Sequence, residues 1–146
     1  CECSAITVER YKRKISGPIA DRIDMWVMVP EIPLETLSIH GEHTTGETEA
    51  VRERIAQARA MQGARFNNYG HLETNSDMSA RDLESLAGLT QDAESQMQSA
   101  ASSMHLSPRG YHRTIKLART IADLAESTTI EPVHVLEALQ YREQKW

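Results

Sequence analysis

Arg22 stands between two acids in the run Ile15-Ser16-Gly17-Pro18-Ile19-Ala20-Asp21-Arg22-Ile23-Asp24, just after a Gly-Pro break. The apolar run Met25-Trp26-Val27-Met28-Val29 follows at once. An arginine just ahead of a buried strand is held at the rim of a sheet and points away from the core. A guanidinium presented that way can enter a neighbour's site and stabilise charge on a phosphoryl group in transfer, worth about 10³–10⁵ in rate in well-developed cases. Local ion pairs with Asp21 and Asp24 are the plainer alternative, and at a surface such pairs contribute little.

Arg109 is the second candidate. Ser107 and Pro108 have the form of an N-cap and a first helical residue. An arginine in the following turn faces the positive end of the helix dipole, at a cost of a few tenths to ~1 kcal/mol. The same helix end offers backbone N–H groups to phosphates. Arg109 beside the small Gly110 could meet a phosphate together with that end. An ordinary surface arginine is the alternative here too.

The remaining chemistry is sparse. Cys1 and Cys3, with Glu2 between them, are too close for a strain-free mutual disulfide. They supply half the ligands of a closed zinc site. The pair reads as half of a motif, and the chain as the C-terminal portion of a longer intracellular protein. His40, His43, His71, His105, His112 and His134 show no metal-ligand spacing. No Gly-x-x-x-x-Gly-Lys-Ser/Thr phosphate loop occurs in the chain. Alone, the chain is expected to bind ATP weakly or not at all and not to hydrolyse it.

The elements that must position these residues are mostly helical. Ala, Leu, Ile, Glu, Gln and Arg dominate after residue 47 of the 146, and aromatics are only 5%. No apolar run approaches the ~20 residues of a membrane span. A net charge of −5 argues against general nucleic-acid binding. Locally, Arg10, Lys12, Arg13 and Lys14 gather around Tyr11, as a solvated face or a phosphate-facing patch.

Residues 4–14 read as a short helix capped by Ser4, ended by Gly17-Pro18, which begins another short turn. Residues 23–29 read as a strand covered on both faces, closed by Pro30 and Pro33. Its sheet neighbours are expected upstream. A linker over 31–46 follows.

Thr44-x-x-Glu47 predicts a helix to about Arg65, with Val51, Ile55, Ala58 and Gln62 on one face. A turn at 67–70 precedes a short helix opened by Ser79 and carrying Leu83 and Leu86. Thr90 opens another, with Met97, Ala101 and Met104 inward. The strongest helix runs from Ser107 to about Glu126, with Ile115, Ala118, Ile121, Ala122 and Ala125 as its apolar stripe. Arg113, Lys116 and Arg119 would line its polar side, with partners such as Asp123. Glu131-Pro132 opens the last helix, with Val135, Leu136 and Leu139 inward. The fold class is mainly α: a remnant of an α/β core over 1–30, the linker, and a helical bundle over 47–146.

Three blocks resemble the magnesium-chelatase-like AAA+ ATPases, in particular their competence-associated, ComM-like group. They are Cys1-x-Cys3-Ser4 with Arg10-Tyr11, residues 15–24 running into the strand, and LSPRGYHRTIKLARTIADL at 106–124. Glu137-Ala138-Leu139-Gln140-Tyr141-Arg142 also fits, whereas 66–104 match poorly. The resemblance implies that Arg22 is an arginine finger acting in trans. It implies that Arg109 is the sensor-2 arginine of a helical lid, with Gly110 beside the nucleotide. Cys1 and Cys3 would be half of a four-cysteine zinc cluster completed upstream.

The resemblance also implies a parent chain whose N-terminal part supplies the phosphate loop, ATP and magnesium as cofactors, and a cytoplasmic homo-oligomeric ring of hexameric type. Such rings work on DNA as branch-migration motors in natural transformation. Two departures stand out. Lys14 replaces the usual arginine, which keeps the charge but loses bidentate geometry. Ile19-Ala20 replaces the usual paired leucines. Two alternatives stay open: a helical DNA- or protein-binding module without a nucleotide role, and the lid of a true metal chelatase ATPase subunit.

Overall fold

Short polar residues placed ahead of apolar periodicity set most of the helix boundaries. The computed structural model describes residues 3–12, 14, 19, 21–31 and 46–142. Among them are six α-helices: α1 (Ala5–Lys12), α2 (Glu47–Phe66), α3 (Ala80–Leu86), α4 (Gln91–Ser103), α5 (Pro108–Leu124) and α6 (Pro132–Gln140). The chain is mainly α. Cys1, Arg13, Gly17, Pro18, Pro33, Thr44, His40, His43 and most of the expected linker lie outside the described residues.

Ser79, Thr90 and Ser107 cap α3, α4 and α5 as expected, their side chains accepting from Asp82, Ala93 and Gly110. Each takes up one backbone N–H that the helix cannot satisfy internally. At α6, Glu131 is the N-cap and Pro132 sits in the first turn. The Glu131 N–H donates to Nδ1 of buried His134 at 3.0 Å. α5 is the central element. It packs on α6, on α2, on α3 and on the 3-10 turn Asn75–Asp77, while α4 packs on α6. Met78, Met97, Ile130 and Val135 are large, fully buried core residues. Gly88 joins α3 to α4 with φ +67, a left-handed conformation that favours glycine. There the chain forms a parallel bridge between Leu89 and Ile130.

Several expectations need correction. Residues 23–31 form no strand. A ladder needs a second extended chain, and the described backbone contact here is a single bond from the Trp26 N–H to the Tyr141 C=O at 2.8 Å. Val27, Met28 and Val29 are consequently exposed at 65%, 63% and 79%. The N-cap of α2 is Gly46, without a side-chain cap, not Thr44. Of its predicted apolar face, Ala58 and Gln62 are buried while Val51 and Ile55 are exposed, and the buried residues of α2 (Ala58, Gln62 and Phe66) all lie in its second half. Met104 and Leu136 are exposed, and Ala125 falls on the surface where α5 has already ended.

The largest departure is Arg119. It does not lie on a solvated polar side but is fully buried. Its Nε donates to Asp123 Oδ1 at 3.1 Å, its Nη1 to the carbonyls of Ala87 and Thr128, and its Nη2 to that of Ser127. Asp123, also fully buried, takes a bidentate pair from Arg65 and a bond from the Asn75 amide at 2.8 Å. One side-chain network thus ties α2, the 3-10 turn, α5 and the loops on both sides of the Leu89–Ile130 bridge.

Acid should loosen the 73–82 region first. Asp77 is held below the usual carboxylate range by the Thr74 N–H, then the Thr74 hydroxyl, then the Glu73 N–H. Asp82 is lowered by hydrogen bonds from Ser79. A depressed folded-state pKa adds stability that is present above the unfolded value, ~3.9 for Asp, and is lost as pH falls through the folded value. Thermal melts taken from pH 5 downward should therefore drop, and Asp77→Asn with Asp82→Asn should flatten that slope. An unchanged slope in the double variant would show that the caps do not titrate with folding.

Candidate functional site

The first turn of α5 contains no acid and begins Pro108-Arg109-Gly110. Ser107 Oγ accepts the Gly110 N–H at 3.1 Å, and Pro108 has no N–H to give. Of the three residues that open the helix, Arg109 therefore keeps the backbone donor most available to an anion. Its side chain is exposed. Gly110 is buried, and the space beside its Cα is already occupied. A Cβ there would come within 3.3 Å of Arg142 Nη2 and 3.4 Å of Ser107 Oγ.

Arg109, Arg113 and Lys116 follow at i, i+4 and i+7, so they share one face of α5. Arg113 pairs with Asp24. The Lys116 ammonium donates to the Ser76 carbonyl at 2.8 Å. Burial, and then the neighbouring Arg113, push the Lys116 pKa down, opposed by Asp24 and Asp77. The face is basic, and the 21–26 segment lies across it.

That segment carries Arg22, which is exposed. Its backbone N–H donates to the Ile19 carbonyl at 2.9 Å. The flanking acids turn to arginines from the helical bundle. Asp24 pairs with Arg113, and Asp21 Oδ1 lies 3.9 Å from Arg142 Nη2. Arg142 Nη1 also donates to the Ile23 carbonyl at 3.3 Å. The two candidate arginines are thus brought to one end of the bundle: Asp24, two residues from Arg22, is held at Arg113, one helical turn (~6 Å) from Arg109.

Sequence reasoning missed Arg113 and Arg142 as the residues that hold this arrangement. The signal for Arg113 was its i+4 spacing from Arg109. For Arg142 no local pattern exists, because its partners lie more than a hundred positions earlier. Cys3 is exposed, and among the described residues no group of three His, Cys, Asp or Glu is placed to hold a metal ion. Zinc at Cys3 would need ligands from outside them. Arg10 and Tyr11 are exposed, and the Lys14 ammonium lies 5.7 Å from the Tyr11 ring. Among the described residues no helix is long and apolar enough to cross a membrane.

The chain matches two family models in succession: "Magnesium chelatase, subunit ChlI" over residues 1–37 and "Magnesium chelatase, subunit ChlI C-terminal" over residues 45–142. The chain belongs to the magnesium chelatase ChlI family. Within this magnesium-chelatase-like family it is similar to Competence protein ComM of Haemophilus influenzae, at 35% identity over 92% of this chain and 25% of that protein. It is 32% identical to a Mycobacterium tuberculosis protein over 98% of this chain and 28% of the relative. It is 30% identical to YifB of Escherichia coli over 96% and 26%. The chain therefore spans about a quarter of the length of the curated relatives it matches. The boundary between the two matched models, 37 to 45, falls where the sequence reads as a linker.

Proposed function

We propose that this chain is the lid and arginine-finger segment of a magnesium-chelatase-like AAA+ ATPase, with residues 47–146 as lid, 1–30 as the end of the α/β core and 31–46 between them. In this reading Arg109 is a sensor that meets the γ-phosphate of its own subunit's ATP, and Arg22 enters the neighbouring subunit's site. The longer protein supplies the phosphate loop and the acids that hold magnesium, and it works as a homo-oligomeric ring on DNA. The observation that carries the reading is the basic end of the bundle, where exposed Arg109 stands on an acid-free helix start and the Arg22 segment is docked one turn away.

Competence is the role printed in the name of the Haemophilus influenzae relative. It supports DNA as the material the ring works on. The family's chelatase description favours the second reading, a lid that drives metal insertion through a porphyrin-handling partner. The two differ in what stimulates turnover: DNA in the first, a chelatase partner in the second.

Arg109→Ala tests the sensor. It removes a cation from a helix start, which relieves at most ~1 kcal/mol. The melting temperature of this chain should stay level or rise slightly, while ATP turnover of the longer protein falls by ~10²-fold or more, the scale of losing one charge-stabilising donor. Unchanged turnover would make Arg109 a surface residue. A lowered melting temperature would make it a packing residue. Either result would remove the sensor from the reading.

A further inference from the structure

We propose that Arg142 is a positioning residue, a latch that fastens the 21–26 segment to the first turn of α5 so that Arg22 and Arg109 move as one unit. The proposal rests on the finger-and-sensor reading for its functional consequence, but the latch itself is a matter of contacts within this chain. Arg142 lies just past the end of α6 and is 6% exposed. Its guanidinium has three neighbours from two distant parts of the chain. Nη1 donates to the Ile23 carbonyl, Nη2 faces Asp21, and Nη2 stands 3.3 Å from where a side chain at Gly110 would begin. Next to it the Tyr141 carbonyl accepts the Trp26 N–H at 2.8 Å. The end of α6 thus grips both sides of Ile23 and touches the residue after Arg109.

Stability does not account for this arrangement. Arg142 Nε is buried without a hydrogen-bond partner, as is the indole Nε1 of Trp26, and a buried unsatisfied donor is costly. The guanidinium also lies against a helix start, where the dipole disfavours a cation. Its ion pair with Asp21 is long, and Asp21 is 39% exposed, so the pair returns little. What the geometry does achieve is placement. A planar guanidinium can bridge two partners in fixed relation, which a lysine cannot. Gly110 gives it room, so the absence of a side chain at 110 serves the latch. When a nucleotide draws Arg109 and the start of α5 toward it, Arg142 carries the shift to Ile23 and so to Arg22. The state of one subunit's site then sets the posture of the finger offered to the next.

The test uses this chain with Trp146→Phe, which leaves Trp26 as its single tryptophan. Arg142→Gln is expected to move Trp26 emission to the red and to speed exchange of the Trp26 amide on the order of tenfold or more, the scale of a hydrogen bond to a charged group. Amides in the middle of α5 should keep their protection. Two further variants guard against simple unfolding. Asp21→Asn changes a half-exposed residue and should shift Trp26 the same way by less. Gly110→Ala places a methyl against Nη2 and should also release the segment. No change at Trp26 in any of the three overturns the latch. So does a general loss of α5 protection in Arg142→Gln with the other two silent, which would make Arg142 a packing residue.

The functional half is read in the longer protein. Arg142→Gln should lower kcat with KM for ATP held, and Arg142→Lys, which keeps the charge but cannot bridge two partners, should not restore it. If Trp26 is released here but Arg22→Ala leaves turnover intact, the latch stands and the finger reading fails. If Arg22→Ala stops turnover and Arg142→Gln does not, the latch does not deliver Arg22 and the proposal falls.

Discussion

Asp123→Ala should cost about 3–5 kcal/mol, the scale of removing one partner from a buried ion pair. Folded domains hold only about 5–15 kcal/mol in total, so this one change removes a large share of it. Asp123 is fully buried and, among the described residues, is the acid paired with both Arg119 and Arg65. Without it Arg119 keeps a full charge in a site where burial already works against that charge, and where Asp123 is the counterweight. Arg65 can reach water, since it is 14% exposed; Arg119 cannot. The melting temperature should fall on the order of 10 °C or more.

Asp123→Asn keeps the shape and one acceptor, so its loss should be smaller yet still well above that of a surface pair. Asp24→Ala provides the surface comparison, because Asp24 is 64% exposed and its pair with Arg113 should contribute under about 1 kcal/mol. Arg119→Met removes the donor that serves the Ala87, Ser127 and Thr128 carbonyls, so it should also destabilise. The double variant should fall short of the sum of the singles by about 0.5–3 kcal/mol, as expected for residues in one network. Equal, small effects from Asp123→Ala and Asp24→Ala in urea titrations would show that the network is not what joins α2 to α5.

That network marks where the sequence could be read and where it could not. Ser79, Thr90, Ser107, Pro108 and Pro132 announced their helices because capping is local: each needs only its own next three or four residues. Arg119 was assigned to a polar side although it lies four residues after Ile115 and three before Ala122, well inside the apolar stripe. Its charge overrode its position. The carbonyls that make its burial tolerable come from Ala87 and from the loop after α5, and nothing near residue 119 foretells them. The same logic covers Val51 and Ile55, whose spacing gives a face but not what, if anything, lies opposite. The apolar pattern at 23–29 has the composition of a strand, but a strand is a property of two chains, and among the described residues no second edge lies beside it. At the candidate site, Arg22 and Arg109 were singled out by their neighbours in sequence. The contacts that bring them to one end of the bundle, Arg113 to Asp24 and Arg142 to Ile23, span 89 and 119 positions, and no short-range pattern reports a contact of that length.

Arg22→Ala should produce the largest functional loss. In the longer protein, turnover is expected to fall by about 10³-fold or more, as when a charge-stabilising arginine is withdrawn from phosphoryl transfer. ATP affinity should be nearly unchanged if, as proposed, the residue meets the neighbour's nucleotide across a head-to-tail interface and contributes chiefly in the transition state. Arg22 is exposed, so any surface interaction lost with its side chain should shift the stability of the folded chain by no more than about 1 kcal/mol. Mixed rings separate a trans role from a cis one. A subunit lacking Arg22 but with an intact phosphate loop, assembled with a subunit that has Arg22 and a broken phosphate loop, should recover activity at junctions where a good finger meets a good loop. If instead Arg22→Ala abolishes ATP binding, and mixing restores nothing, Arg22 belongs to its own subunit's pocket. The docking of its segment beside Arg109 would then mean one shared site within a subunit, with no link from one site to the next.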